Sequence, residues 1–181
     1  GVADGVEASV ALEPAARAAA DAILGGLAPA GRRVVGLTVA GTWPTKAWPV
    51  SHAAVLARRL LAAGLAVIAL VAPGEEAVAE TLTRLAPGAR ALPPCGGGTL
   101  AAVVARLDLV AGLDSGPRHL AHAFGVPTFA WFGPTHPDNW TPRGAARGVW
   151  WTDLPCRGCN RTACPHWNCM PSLDPGRAAA L

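Results

Sequence analysis

Residues 109–124 read LVAGLDSGPRHLAHAF. The first five, Leu109–Leu113, form an uninterrupted apolar run of the length a buried strand needs. Asp114, Ser115 and Gly116 then make a polar turn, and the spacing from Ser115 to Phe124 predicts a helix with Pro117 in its first turn. Strand, short turn and helix recur on either side. Arg33–Val39 reads as a strand, and Ser51 is a plausible N-cap for a helix whose apolar stripe, Ala53, Leu56, Leu60 and Leu61, stops at Gly64. Leu65–Val71 is a second strand, followed by a helix opened by Pro73-Gly74 and running to about Leu85. Ala89–Leu92 is a short third strand, and Thr99 caps a helix ending near Leu107. Pro127–Phe132 is a fifth strand and Gly148–Trp151 a sixth. Upstream, the Ala-rich stretch Glu13–Leu27 suits one helix, closed by Gly25-Gly26 and Pro29.

Strands alternating with helices at this spacing imply βαβ units, a parallel sheet and helices on both faces, a doubly wound α/β fold. In the sheet order 3-2-1-4-5-6 the chain reverses direction between strands one and four, and ligands bind at the carboxyl ends of those strands. Topology alone therefore points to the loops after Val39 and Leu113.

Composition agrees with a folded globular chain. Of 181 residues, 51% are apolar and 15% charged, enough for one domain with a core and short for two. The longest apolar run, Leu65–Ala72, is far below the roughly 18 residues of a membrane span, and the N-terminus lacks the layout of a signal peptide. The net charge of +3 comes from 15 Lys and Arg against 12 Asp and Glu. So small and scattered an excess does not suit nucleic acid but suits one anionic small molecule. Residues 1–31 read as a lead-in linker and helix, and residues 32–177 as the folded domain. Gly1 is no natural start. Residues 178–181 resemble a vector-derived junction, so a chain cut from a longer protein is expected.

The two loops carry the most suggestive polar residues. The first holds Gly41, Thr42 and Lys46, the only lysine in the chain. The second holds Asp114, Ser115, Gly116 and His119. Gly116 lets backbone approach a ligand, and the following helix directs N–H groups and the positive end of its dipole at the same spot, which favours phosphate. Lys46 adds a point charge for that anion. The bland reading is a capped strand-to-helix turn with a surface lysine and a packed histidine. Glu75 and Glu76 follow strand two, where an acidic residue commonly holds ribose hydroxyls; a charged first helical turn is the alternative. No G-x-G-x-x-G occurs.

Lys46-Ala47-Trp48-Pro49, Ala72-Pro73-Gly74-Glu75, Asp114-Ser115-Gly116-Pro117-Arg118-His119-Leu120 and Phe132-Gly133-Pro134-Thr135 together resemble glycosyltransferase family 9, the ADP-heptose:lipopolysaccharide heptosyltransferases. The order and spacing agree over about residues 32–175. The resemblance implies a Rossmann-like sheet forming the C-terminal, nucleotide-sugar-binding half of a GT-B enzyme. It assigns phosphate contacts to Thr42 and Lys46, diphosphate and sugar contacts to Asp114, Ser115, Gly116 and His119, and the ribose to Glu75 or Glu76. It implies inverting transfer with leaving-group stabilisation by Lys46, no metal needed for transfer, and a catalytic base in the other half. The implied donor is ADP-heptose or a similar nucleotide sugar. The implied acceptor is a lipopolysaccharide core, and the setting cytoplasmic, with peripheral contact to the inner membrane through the full-length enzyme.

Cys156, Cys159, Cys164 and Cys169 fall as C-x2-C-x4-C-x4-C, a spacing compatible with a structural zinc, with two disulfides, or with free thiols packing a loop; His166 is a possible substitute ligand. Trp131, Trp140, Trp150 and Trp151 are expected to flank the cleft, some against a sugar or on the interdomain surface, and more in the core or on faces left exposed by a missing half. Two further readings stay open. One is a nucleotide-sugar epimerase of the same architecture, and the other a zinc-binding interaction module.

Overall fold

The structure, a computed structural model, describes residues 10–141 and 147–178. Six parallel strands run in the order β3-β2-β1-β4-β5-β6. They are β1 (Val34–Thr38), β2 (Ala66–Ala69), β3 (Arg90–Ala91), β4 (Leu109–Leu113), β5 (Thr128–Phe132) and β6 (Arg147–Trp151). The central pair is β1 and β4, with Val35 opposite Leu109 and Thr38 opposite Gly112. The expected order and its reversal point are both present.

The period-two alternation of each buried strand feeds two cores. Val35, Leu37 and Val39 join Val67 and Ala69 on one face, beneath α2 (Val50–Ala62) and α3 (Glu76–Leu85). Val34, Ala66, Ile68 and Val110 face the other way, beneath α1 (Pro14–Leu27), α4 (Gly97–Val104) and α5 (Gly116–Ala123). α1 packs against α4, with Ala20 fully buried and Asp21 paired to Arg106. After β5 come two short helices, α6 (Pro137–Trp140) and α7 (Pro175–Ala178), and the Cys-rich segment between β6 and α7 winds as turns. No described helix is long and apolar enough to cross a membrane. The first nine residues of the lead-in, and residues 179–181 of the expected vector junction, lie outside the described residues.

Two expected caps differ. α2 starts one residue before Ser51, after Pro49, and α4 starts two residues before Thr99, after Gly96; neither start has a side-chain cap. Pro49 fixes an extended φ just ahead of the helix. Gly96 holds an extended conformation there, so the backbone supplies the break that a hydroxyl was expected to supply.

The strands meet most closely at the reversal point. A Cβ at Gly112 would overlap the side-chain and carbonyl oxygens of Thr38 on the paired strand. Gly112→Ala should therefore cost roughly 2–4 kcal/mol through overpacking and forced separation of β1 from β4. Urea denaturation checks this, and an unchanged midpoint would refute the close approach.

Candidate functional site

Six of the expected residues line one cleft at the carboxyl ends of β1 and β4: Thr42, Lys46, Glu75, Asp114, Ser115 and Gly116. Leu70, Val71, Leu100 and Leu113 supply its apolar wall. Ser115 is the extended N-cap residue of α5, and no side chain caps that helix. Its hydroxyl donates instead to Thr38 Oγ1 at 3.4 Å. The helix start thus opens on the cleft with its dipole uncompensated. Apart from its chain neighbours and its own helix backbone, no protein atom lies within 4 Å of where a Gly116 Cβ would stand, so backbone is accessible there.

Asp114 holds the site together. Its side chain is 3% exposed, and Lys46 Nζ donates to Oδ2 at 2.9 Å. On its other side Arg118 Nη2 lies 3.7 Å and His119 Nε2 3.3 Å from Oδ1. Burial opposes the charge of Asp114. The contacts of His119 and Lys46, with the charges of Lys46 and Arg118, outweigh it and hold the carboxyl below its ordinary range. One carboxylate among a lysine, an arginine and a histidine leaves the neighbourhood electropositive. Only part of the Lys46 ammonium, with its three donors, is spent on Asp114. His119 touches Asp114 but does not border the cleft.

Lys46 sits where it does because its neighbours are pinned to the C-terminal segment. It ends a 3-10 turn, Pro44–Lys46. Thr45 Oγ1 donates to the Arg161 carbonyl at 2.7 Å, and Trp167 Nε1 donates to the Thr45 carbonyl at 3.2 Å. Trp48 N donates to the Val39 carbonyl at 3.2 Å and closes the loop. The Trp48 indole is buried against Trp131, ring centroids 4.4 Å apart, and donates from Nε1 to the Leu173 carbonyl.

The two glutamates separate. Glu75 faces the cleft, with Oε2 accepting from Ala72 N at 2.9 Å. Glu76 bonds back to Gly74 N, which lowers its pKa, and borders a different groove beside α3. Of the four tryptophans expected near the cleft, Trp131 is core and Trp150 packs against it. Trp151 meets His136 and Arg157. Trp140, 46% exposed, stands near Lys46, whose Nζ is 5.8 Å from its ring centroid.

Sequence reasoning gave Arg118 no role, yet it is the most buried cation here at 1% exposed. Its Nη2 donates to the Trp140 carbonyl, and its Nη1 lies 3.3 Å from His122 Nε2. Arginine only donates, so that nitrogen accepts and the His122 ring is neutral. Its four-residue spacing from Asp114 across the turn was the available signal.

The structure lends the zinc alternative no support. All four thiols of Cys156, Cys159, Cys164 and Cys169 are free. Among the described residues no three His, Cys, Asp or Glu side chains gather as metal ligands, whereas a structural zinc needs four converging donors. Cys164 Sγ instead accepts from Trp167 N, Cys169 packs on Gly133, and Cys156 and Cys159 are exposed.

A doubly wound parallel sheet with an anion-suited cleft at its reversal point defines a nucleotide-binding type of α/β domain. Residues 3–169 match the model of glycosyltransferase family 9 (heptosyltransferase), and the chain belongs to that family. It is 34% identical over 128 residues to lipopolysaccharide heptosyltransferase 1 of Pseudomonas aeruginosa, covering 69% of this chain and 36% of the relative. The E. coli heptosyltransferase WaaC with ADP superposes with a TM-score of 0.68 at 25% identity, over 89% of this chain and 47% of that one. E. coli ADP-heptose lps heptosyltransferase II shares the fold with a TM-score of 0.74 at 18% identity, over 95% and 51%. The chain thus spans about half of each solved structure, the extent of one lobe of a GT-B arrangement.

Asp114→Ala strands the buried Arg118 charge and should destabilise the chain by about 3–5 kcal/mol. Adding Arg118→Met should recover part of that loss in urea denaturation, and simple additivity of the two losses would contradict the coupling. His122 gives a pH signature. Burial, with the charges of Arg118, His119 and Arg147, lowers it from 6.5 to about 4. Between these values the unfolded chain binds the proton that the folded chain refuses. Stability should therefore fall as pH drops from 6.5 toward 4, and His122→Gln should flatten that slope. An identical pH dependence in the two proteins would exclude His122 as its source.

Proposed function

We propose that this chain is the donor-binding half of an inverting heptosyltransferase, taking ADP-heptose or a similar nucleotide sugar. The carrying observation is the Lys46–Asp114 pair beside the uncapped start of α5, at the sheet's reversal point. In this reading the diphosphate lies between Lys46, Thr42 and the N–H groups at Ser115 and Gly116. Glu75 takes the ribose, and the apolar wall of Leu70, Val71 and Leu100 takes the base. Asp114 holds Lys46 in place, and His119 reaches the sugar side. The WaaC structure with ADP, 25% identical to this chain, supports an adenine nucleotide.

Transfer then runs as follows. A hydroxyl of a lipopolysaccharide-type acceptor, bound by the other half of the enzyme, loses its proton to a base in that half. Its oxygen bonds to the anomeric carbon with inversion as the bond to the diphosphate breaks. Lys46 and the helix start stabilise the charge gathering on the leaving group, so the transfer requires no metal. The full-length enzyme works in the cytoplasm, in peripheral contact with the inner membrane where its acceptor lies.

Calorimetry with ADP, UDP and ADP-heptose tests the donor reading. ADP should bind more tightly than UDP, and Lys46→Ala should weaken ADP roughly tenfold or more, the scale of one lost charge-assisted contact. A preference for UDP, or an unaffected Lys46→Ala variant, would reject it.

A further inference from the structure

Trp140 is the most exposed of the large apolar side chains described, at 46%, yet its backbone is tied to the site. Its carbonyl accepts from Arg118, which is itself 1% exposed and lies 3.7 Å from Asp114. A buried cation is an expensive strut, and this one ties the last residue of α6 to the carboxylate that holds Lys46. The indole stands near the Lys46 ammonium, which is 5.8 Å from its ring centroid, while Trp43 covers the same ammonium from 4.4 Å. The His119 ring meets Trp140 edge-on at 6.3 Å.

Neither Trp140 nor His119 borders the cleft lined by Glu75, Leu100 and Gly116. Both flank the Lys46–Asp114 pair. A ligand whose base and ribose fill the cleft and whose diphosphate reaches Lys46 must place its next group beside them. Resting on the donor reading above, we propose that Trp140 is a specificity-determining residue that stacks on the glycosyl ring of the nucleotide sugar, with Arg118 as its positioning residue. An indole face suits the C–H face of a pyranose, and His119 at its edge supplies a polar partner for a hydroxyl.

The test is calorimetry of the full chain with two probes, ADP and ADP-heptose, on wild type, Trp140→Ala and Trp140→Phe. Trp140→Ala should weaken ADP-heptose about tenfold, the scale of one aromatic contact, and ADP less than twofold. Trp140→Phe should recover most of the loss. Equal ADP-heptose affinity in wild type and Trp140→Ala, with ADP binding intact, would overturn the stacking role and leave the donor reading standing. Parallel loss of both probes would also overturn it, because Trp140 would then act on the nucleotide or on the fold. Failure of wild type to bind ADP would overturn the donor reading and the stacking role together.

Discussion

A buried carboxylate cannot stay charged alone, and Asp114 is both buried and charged. It requires cations and hydrogen-bond donors, and the fold brings them from two directions. Lys46 comes from the loop after β1, and Arg118 and His119 from the first turns of α5. Because Asp114 ends β4, these pairings lock the loop after β1 and α5 to the sheet at its reversal point. Arg118 extends the lock to α6 through the Trp140 carbonyl. The network that neutralises Asp114 is thus also the one that presents an ammonium beside an uncapped helix start. Removing the carboxylate would loosen the geometry and strand two charges.

The C-terminal segment makes the second contribution, and it is mechanical. Among its described residues no three metal-ligating side chains are gathered. Its backbone and tryptophan bond to both sides of Lys46, through Thr45 with Arg161 and Trp167, and through Trp48 with Leu173. The same segment is stitched to the loop after β5, where Gly158 N and Asn160 N donate to the carbonyls of Gly133 and Pro134. The turns that bring it there point Cys164 at the Trp167 amide and pack the half-buried Cys169 against Gly133.

Family membership and geometry bear on different questions. Membership in glycosyltransferase family 9 rests on a match over residues 3–169. It fixes the relatives with which the cleft is compared, while the geometry says which side chains share that cleft. Glu75 and Glu76 show the difference. As neighbours in sequence they were interchangeable candidates, and the turn after β2 sends one into the cleft and folds the other back on Gly74.

The sequence by itself determined the sheet, its order and its reversal point. Buried parallel strands are written as apolar runs, and the turns between them as Gly, Pro and polar residues. The same local signal located Lys46, Asp114, Ser115 and Gly116, because topology assigns the site to the loops at the strand ends. Other features depended on contacts between residues far apart in the chain. Arg118 is a strut only because α6 returns over α5. Trp131 is core because β5 is flanked by β4 and β6 and covered by Trp48, while Trp140, at the end of α6, stays exposed. The 3-10 turn holding Lys46 is braced by one carbonyl and one indole more than 100 residues away. No periodicity encodes such pairings, because they arise when separate elements pack. Tertiary structure alone decided them.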